Sequence, residues 1–310
     1  MRNEPLLTIG IPSYNRPKKL EELLDQLSAG LEAERFNVLL VDDGDNPQTL
    51  AVAAKFMERP GFSYLKNETN IGYARSFCRL IQQCPSEYLL ATGDDDLVET
   101  ANLERIEAVL QEKRPDFACP IYLLGGQIYR GVSVDRTILP AEYILCSGHA
   151  PGLVYRAEAF RPLLPVLHKR VEQRKSDAFC YPQVLCAIAA LLQERQAVFL
   201  GVASAYDNES LPSDLTDSGG GRYWDYESRL QQFAAFDEFI ANFPAAHESA
   251  RAEMLRAHRS NFIHRVIFAW SQNDPASEAR FERLMIRNQI ARKMPRKLKE
   301  LVKMALRSNA

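Results

Sequence analysis

Three aspartates stand side by side in LATGDDDLV, residues 90–98, directly after an apolar run. Like charges at that spacing repel, and the segment itself holds no cation to neutralise them. Three carboxylates at the end of a buried strand suit a hard divalent cation, which takes oxygen ligands and leaves part of its shell to water or substrate phosphates. The alternative is a solvated acidic turn whose aspartates cap a helix beginning near Glu99, a position where aspartate is favoured. Two further polar clusters close apolar runs: PSYNR at 12–16 and VDDGD at 41–45. The first offers the Tyr14 ring to stack on a planar base, and the second a carboxylate to accept a base N–H. Half-buried packing of Tyr14, and a tight turn of Asp42 and Asp43 with Gly44, would account for the same residues without a ligand.

The elements that position these clusters follow from periodicity. LLTIGI is a short apolar run with β-branched residues, and RPKKLEELLDQLSAG carries leucines at 20, 23, 24 and 27, one face of a helix that ends at Gly30. FNVLLVDDGD with PQTLAVAAKFMER, then FSYLKN with NIGYARSFCRLIQQC, repeat the alternation, and EYLLATGDDD supplies a fourth strand. Strands alternating with helices predict right-handed βαβ units and a largely parallel sheet, in which ligands bind beyond the carboxyl ends of the strands. PSYNR, DDGD and GDDD all fall at such ends and would converge on one edge.

After LERIEAVLQEK the pattern loosens. DFACPIYLLGGQIYRG reads as a strand and hairpin turn, EYILCSGHAPGLVYRAEAF as a glycine-containing strand passing into a helix, SDAFCYPQVLCAIAALLQE as helical, and QAVFLGVA as a further strand. Residues 207–222 are polar and rich in Gly, Ser, Pro and Asp, as in a loop able to close over a ligand, and the rest of the chain reads helical. A boundary is expected near residue 220. The tail RNQIARKMPRKLKELVKMALR is strongly basic, with Ile290, Leu298, Leu301, Val302, Met304 and Leu306 giving apolar surface. It reads either as a helix lying on an anionic membrane surface or as one packed on the protein with a solvated basic face.

Composition narrows the function classes. The 310 residues carry a net charge of −2, which gives no sign of a nucleic-acid partner. Six cysteines (Cys78, Cys84, Cys119, Cys146, Cys180, Cys186) lack C-x-x-C or paired-histidine spacing and read as reduced thiols of a cytoplasmic protein. No apolar stretch has the length of a secretory signal or a membrane span. No G-x-G-x-x-G follows a strand, which disfavours dinucleotide dehydrogenases, and PSYNRP lacks the glycines of a nucleotidyltransferase loop. His149, after Ser147-Gly148, could touch an acceptor or a diphosphate, or be a satisfied loop histidine; His247, His258 and His264 read as structural.

LTIGIPSYNRPKKLEELLDQL, VLLVDDGDNP, YLKNETNIGYARSF and YLLATGDDDLVE, taken in order over about residues 5–115, resemble the nucleotide-sugar-binding motifs of the family 2 glycosyltransferases of bacterial surface-polysaccharide type, which have the GT-A fold. The resemblance implies an α/β GT-A domain over 1–220, with a donor-nucleotide half at 1–115 and an acceptor half at 116–220, followed by a helical region at 221–310. It implies a donor site containing Pro12, Tyr14, Asn15, Arg16, Asp43, Asn70, Arg75 and Asp94. Asp95 and Asp96 then hold Mn²⁺ or Mg²⁺ in a DXD-type motif, although Gly93 stands where many members have the first carboxylate. The implied reaction is inverting transfer of a sugar from a nucleotide diphosphate, UDP first and dTDP or CDP next, to a hydroxyl of a saccharide or lipid-linked saccharide. Asp177 in RKSDAFC is the implied base, with Glu172 and His149 as competitors. As a first-turn residue Asp177 also has a complete structural explanation. A sugar nucleotidyltransferase, or a nucleotide- or carbohydrate-binding protein without turnover, are the alternatives.

Overall fold

The computed structural model describes residues 5–31, 35–208 and 226–271. In chain order the elements are β1 (Leu7–Ser13), α1 (Pro17–Gly30), β2 (Asn37–Asp42), α2 (Pro47–Ala54), β3 (Phe62–Lys66), α3 (Tyr73–Gln83), β4 (Tyr88–Ala91), β5 (Asp96–Val98), α4 (Leu103–Lys113), β6 (Phe117–Leu124), β7 (Gln127–Arg130), β8 (Arg136–Thr137), α5 (Tyr143–Ser147), β9 (Leu153–Arg156), α6 (Ala157–Phe160), α7 (Leu164–Glu172), α8 (Ser176–Cys180), α9 (Pro182–Leu192), β10 (Ala197–Asp207), α10 (Tyr226–Asn242) and α11 (Glu248–Ser271). The main path of the sheet runs β3-β2-β1-β4-β9-β6-β10-β5. The first four strands pair in parallel, as alternation with helices requires. Beyond β4 the sheet turns mixed: β9 lies antiparallel between β4 and β6, while β6 and β10 are parallel.

Side-chain alternation on the strands builds two cores. Leu7, Ile9, Ile11, Val38 and Leu40 face the leucines of α1 and the apolar stripe of α4. Leu39, Val41, Leu89 and Ala91 face α3 and α9 on the opposite side. Leu20, Leu23, Leu24 and Leu27 are each buried, and each adds roughly 2 kcal/mol of apolar transfer, an upper estimate. At Gly10 a Cβ would overlap Leu89 of β4 and press on Leu80 of α3. All of α9 is buried, which is why PQVLCAIAALL is apolar all round rather than on one stripe.

The structure departs from the periodicity in three places. The stretch expected as helical over 176–194 forms two helices, because Pro182 restricts Tyr181 (φ −137°, ψ 54°) to a non-helical conformation and lacks an N–H of its own. EYILCSG is a helical turn, α5, rather than a strand, and its Ser147 hydroxyl bonds back to the Tyr143 carbonyl. Asp96 is not a helix cap; it opens β5, which pairs antiparallel with β10 through Asp207↔Asp96. α10 and α11 pack against α5, α8 and α9, held by Lys175–Glu238 at 2.8 Å and by the His258 ring, which stacks on Phe233 at 4.2 Å and meets the Tyr143 hydroxyl. That agrees with a structural reading of His258. The boundary near 220, the polar stretch after Asn208 and the basic tail lie outside the described residues. No helix among the described residues is long and apolar enough to cross a membrane.

Candidate functional site

β1 and β4 run side by side only as far as the pair Gly10↔Ala91; beyond it β1 stays with β2 alone. Pro12 sits past that point, where its missing N–H removes no ladder bond. The pairing of β1 with β4 thus ends short of the carboxyl end of β1, and the PSYNR, DDGD and GDDD segments meet there around a crevice opened by that missing pairing.

Asp94 ties the crevice together. It is 2% exposed and accepts from Ser13 Oγ at 2.7 Å, from the Tyr14 amide at 3.3 Å and from Arg16 Nη1 at 3.0 Å. The same Arg16 nitrogen lies 3.1 Å from Asp95 Oδ2. Gly93 accounts for the rest of the triplet, since a Cβ there would meet Asp95 Oδ1 at 2.7 Å and Asp96 Oδ2 at 2.9 Å. Two carboxylate oxygens therefore face one small volume beside Gly93. The other Asp96 oxygen accepts from the Tyr122 hydroxyl at 2.5 Å. Burial pushes Asp94 up to about 6 against the pull of Arg16. Burial and the neighbouring Asp95 charge push Asp96 up to about 7.

The second strand end is built differently. Asp42 is fully buried and accepts from the Gly44 amide, Tyr64 Oη and Lys66 Nζ. Asp43 reaches the third loop, accepting from Asn67 Nδ2 and the Ile71 amide at 2.8 Å each and from the Gly72 amide at 2.7 Å. Gly72, at φ 84°, turns the chain into α3 with open space beside it. Asn70 accepts from Gly72 at the surface, and on the first turn of α3 the Arg75 amide donates to the Gly72 carbonyl while its side chain makes no hydrogen bond or ion pair among the described residues. Asn15, at φ 54°, accepts from the Asn46 amide, and its side chain fills the space a Cβ on Gly44 would need. Tyr14 is 39% exposed at the mouth.

Of the thirteen residues weighed for a role in the reaction, Pro12, Tyr14, Asn15, Arg16, Asp43, Asn70, Arg75, Asp94, Asp95 and Asp96 lie at or just beyond the carboxyl ends of β1 to β4. Asp177 lies on α8, fully buried, accepting from Arg170 Nη2 at 2.6 Å and from the Ala178 amide at 2.7 Å. Its burial raises its pKa against the pull of Arg170. Glu172 is exposed at the end of α7. His149 stands over Tyr122, ring centroids 4.2 Å apart, with Tyr129 edge-on at 5.4 Å and its Nε2 buried without a hydrogen-bond partner. Burial, with a smaller push from Arg130, lowers it to about 3.

Residues 8–136 match the family model described as Glycosyl transferase family 2. The matched segment is less than half of the chain, and within it the chain is similar to family 2 glycosyltransferases. The poly(ribitol-phosphate) beta-N-acetylglucosaminyltransferase TarS of Staphylococcus aureus is 28% identical over 108 residues, 34% of this chain and 19% of that protein. The chain thus spans about a fifth of the length of that relative. The structure of TarS 1-349 in complex with UDP-GlcNAc superposes with a TM-score of 0.61 at 19% identity, covering 85% of this chain and 79% of that one. The mannosyltransferase PcManGT of Pyrobaculum calidifontis, in complex with GDP-Man and Mn²⁺, gives 0.57 at 13% identity over 98% and 84%. The fold is GT-A, as the resemblance implied.

The site has neighbours that sequence reasoning missed. Tyr122 looks like one more aromatic in an apolar strand, and its role depends on the β6–β5 distance. Arg130 is fully buried, donating to the Pro151 carbonyl at 2.5 Å and to Cys119 Sγ at 3.2 Å, beneath the His149 loop. Asp207, expected in a loop, is the last residue of β10 and directly opposes Asp96.

Two outcomes follow from this geometry. In Gly93→Ala the added methyl drives Asp95 and Asp96 apart without a backbone penalty. Its stability should change by less than about 1 kcal/mol while Mn²⁺-dependent UDP binding weakens at least about tenfold, read by denaturant unfolding and calorimetry. For His149, the unfolded imidazole takes a proton below about 6.5, whereas the folded one resists until about 3. Its contribution is present above 6.5 and is lost as pH falls through that window, so wild type should lose more stability than His149→Gln between pH 6.5 and 4 in denaturant titrations.

Proposed function

We propose that the protein is an inverting glycosyltransferase that moves a sugar from a nucleotide-diphosphate donor, UDP first and dTDP or CDP next, to a hydroxyl of a saccharide or lipid-linked saccharide. The observation that carries the reading is the convergence of Asp95 Oδ1 and Asp96 Oδ2 beside Gly93, at the carboxyl ends of parallel strands, with Arg16 in contact with Asp95. The UDP-GlcNAc complex of TarS and the GDP-Man and Mn²⁺ complex of PcManGT, both of this fold, support a nucleotide-sugar donor. The beta-N-acetylglucosaminyltransferase TarS also supports transfer of a sugar.

In this reading residues 1–115 form the donor half, 116–220 the acceptor half and 221–310 a helical region. Tyr14 stacks on the base and the remaining acceptor capacity of Asp43 takes a base N–H. Asn15 and Asn70 shape the loops around the nucleotide, and Arg16 and Arg75 meet its phosphates.

The residues present fit a divalent metal. Two hard carboxylate oxygens beside a missing Cβ match the one or two carboxylates by which Mg²⁺ or Mn²⁺ is usually bound, with donor phosphates completing the shell. Among the described residues no third His, Cys, Asp or Glu joins them in a ready-made metal group. Asp95 and Asp96 would hold the ion, which when bound would neutralise charge developing on the leaving diphosphate.

Asp177 is the proposed base. To take the acceptor proton it must exchange its contact with Arg170 for the acceptor hydroxyl, and burial, by raising its pKa, makes it a stronger base than a free aspartate. Asp177→Asn should leave UDP affinity near that of wild type and lower sugar transfer by at least about 10²-fold, measured as UDP release under saturating donor. Retained turnover per folded molecule, with a lowered melting temperature, would reduce Asp177 to a structural partner of Arg170.

A further inference from the structure

We propose that Arg16 is the resident counter-cation of the acidic triplet: in the donor-free protein it ties Asp94 to Asp95, and on donor binding it gives up Asp95 to the divalent cation and turns to the diphosphate. This rests on the donor reading above and extends it from which residues bind to how the site exchanges one positive charge for another.

One nitrogen makes both contacts: Arg16 Nη1 is 3.0 Å from Asp94 Oδ1 and 3.1 Å from Asp95 Oδ2. The two carboxylates differ in what else holds them. Asp94 is buried and keeps Ser13 Oγ and the Tyr14 amide when Arg16 leaves. Asp95 is 30% exposed, with one oxygen turned to Arg16 and the other to the space it shares with Asp96 beside Gly93. It can therefore change partners without unmaking the crevice.

Arg16 is placed for the exchange. Its side chain is 29% exposed and follows directly on the loop that carries Tyr14 and Asn15. A guanidinium has five donors in a fork that matches phosphate oxygens as well as carboxylates, so the same side chain serves both partners. A divalent cation approaching Asp95 meets this guanidinium about one ionic contact away, and like charges at that separation oppose each other. Metal and Arg16 thus compete for Asp95 until a diphosphate arrives to take the guanidinium. The site then prefers metal and nucleotide together over metal alone, which keeps the aspartates paired between turnovers.

The test is calorimetric titration of the full chain with Mn²⁺ alone, and with UDP at saturating Mn²⁺, for wild type, Arg16→Gln and Arg16→Lys. Arg16→Gln should bind Mn²⁺ alone on the order of tenfold more tightly and UDP on the order of tenfold more weakly. Arg16→Lys, which keeps the charge, should hold Mn²⁺ close to the wild-type affinity. A merely structural role would weaken both ligands together, so the opposite signs are the signature. Mn²⁺ affinity unchanged or weaker in Arg16→Gln, with wild type still binding UDP through Mn²⁺, would overturn the exchange and leave the donor reading standing. Wild type that binds neither ligand would overturn both.

Discussion

The repulsion among Asp94, Asp95 and Asp96 is the constraint on which the site's architecture turns. Three adjacent carboxylates beside a buried strand must be neutralised or kept apart, and the structure does both. Asp94 goes inward and is satisfied by Ser13, Tyr14 and Arg16. Asp96 goes to the opposite side, onto β5, where Tyr122 donates to it and burial favours its protonated form near neutrality. Asp95 is left between them at the surface, sharing Arg16 with Asp94. The inward carboxylate is also what fastens the first loop to the fourth strand, so charge neutralisation and the shape of the crevice are one arrangement.

The same economy runs through the second loop. Asp42 and Asp43 are neighbours with different tasks: Asp42 closes its own turn and receives Tyr64 and Lys66 from β3, while Asp43 reaches forward to the amides of Ile71 and Gly72. Through Asn15, Gly44 and Asn46 the first and second loops lock together. Four segments far apart in sequence thus form one cross-braced rim, and a donor entering it meets groups already oriented.

Much of this was legible in the chain because it is local. Leu20, Leu23, Leu24 and Leu27 announce α1, and alternation of short apolar runs with such stripes announces parallel strands whose polar ends must converge. What was not legible depends on pairings between distant residues or on single turns. The α5 turn is too short for any period to register, and Pro182 divides a run that is apolar throughout. Tyr122 and Asp207 come to Asp96 only because β10 lies beside both β5 and β6, an order that no local pattern encodes. Gly93 looked like a lost carboxylate; its meaning is steric, and it emerges only when Asp95 and Asp96 are placed around it.

The most direct test of the central claim is thermal unfolding of the full chain against UDP, dTDP, CDP and GDP, each with and without Mn²⁺. A ligand that binds only the native state raises the melting temperature by mass action. The account predicts stabilisation by a pyrimidine nucleoside diphosphate, UDP foremost, that depends on the metal. Melting temperatures unmoved by every pair would contradict it, leaving the acidic triplet as a braced turn rather than a donor site.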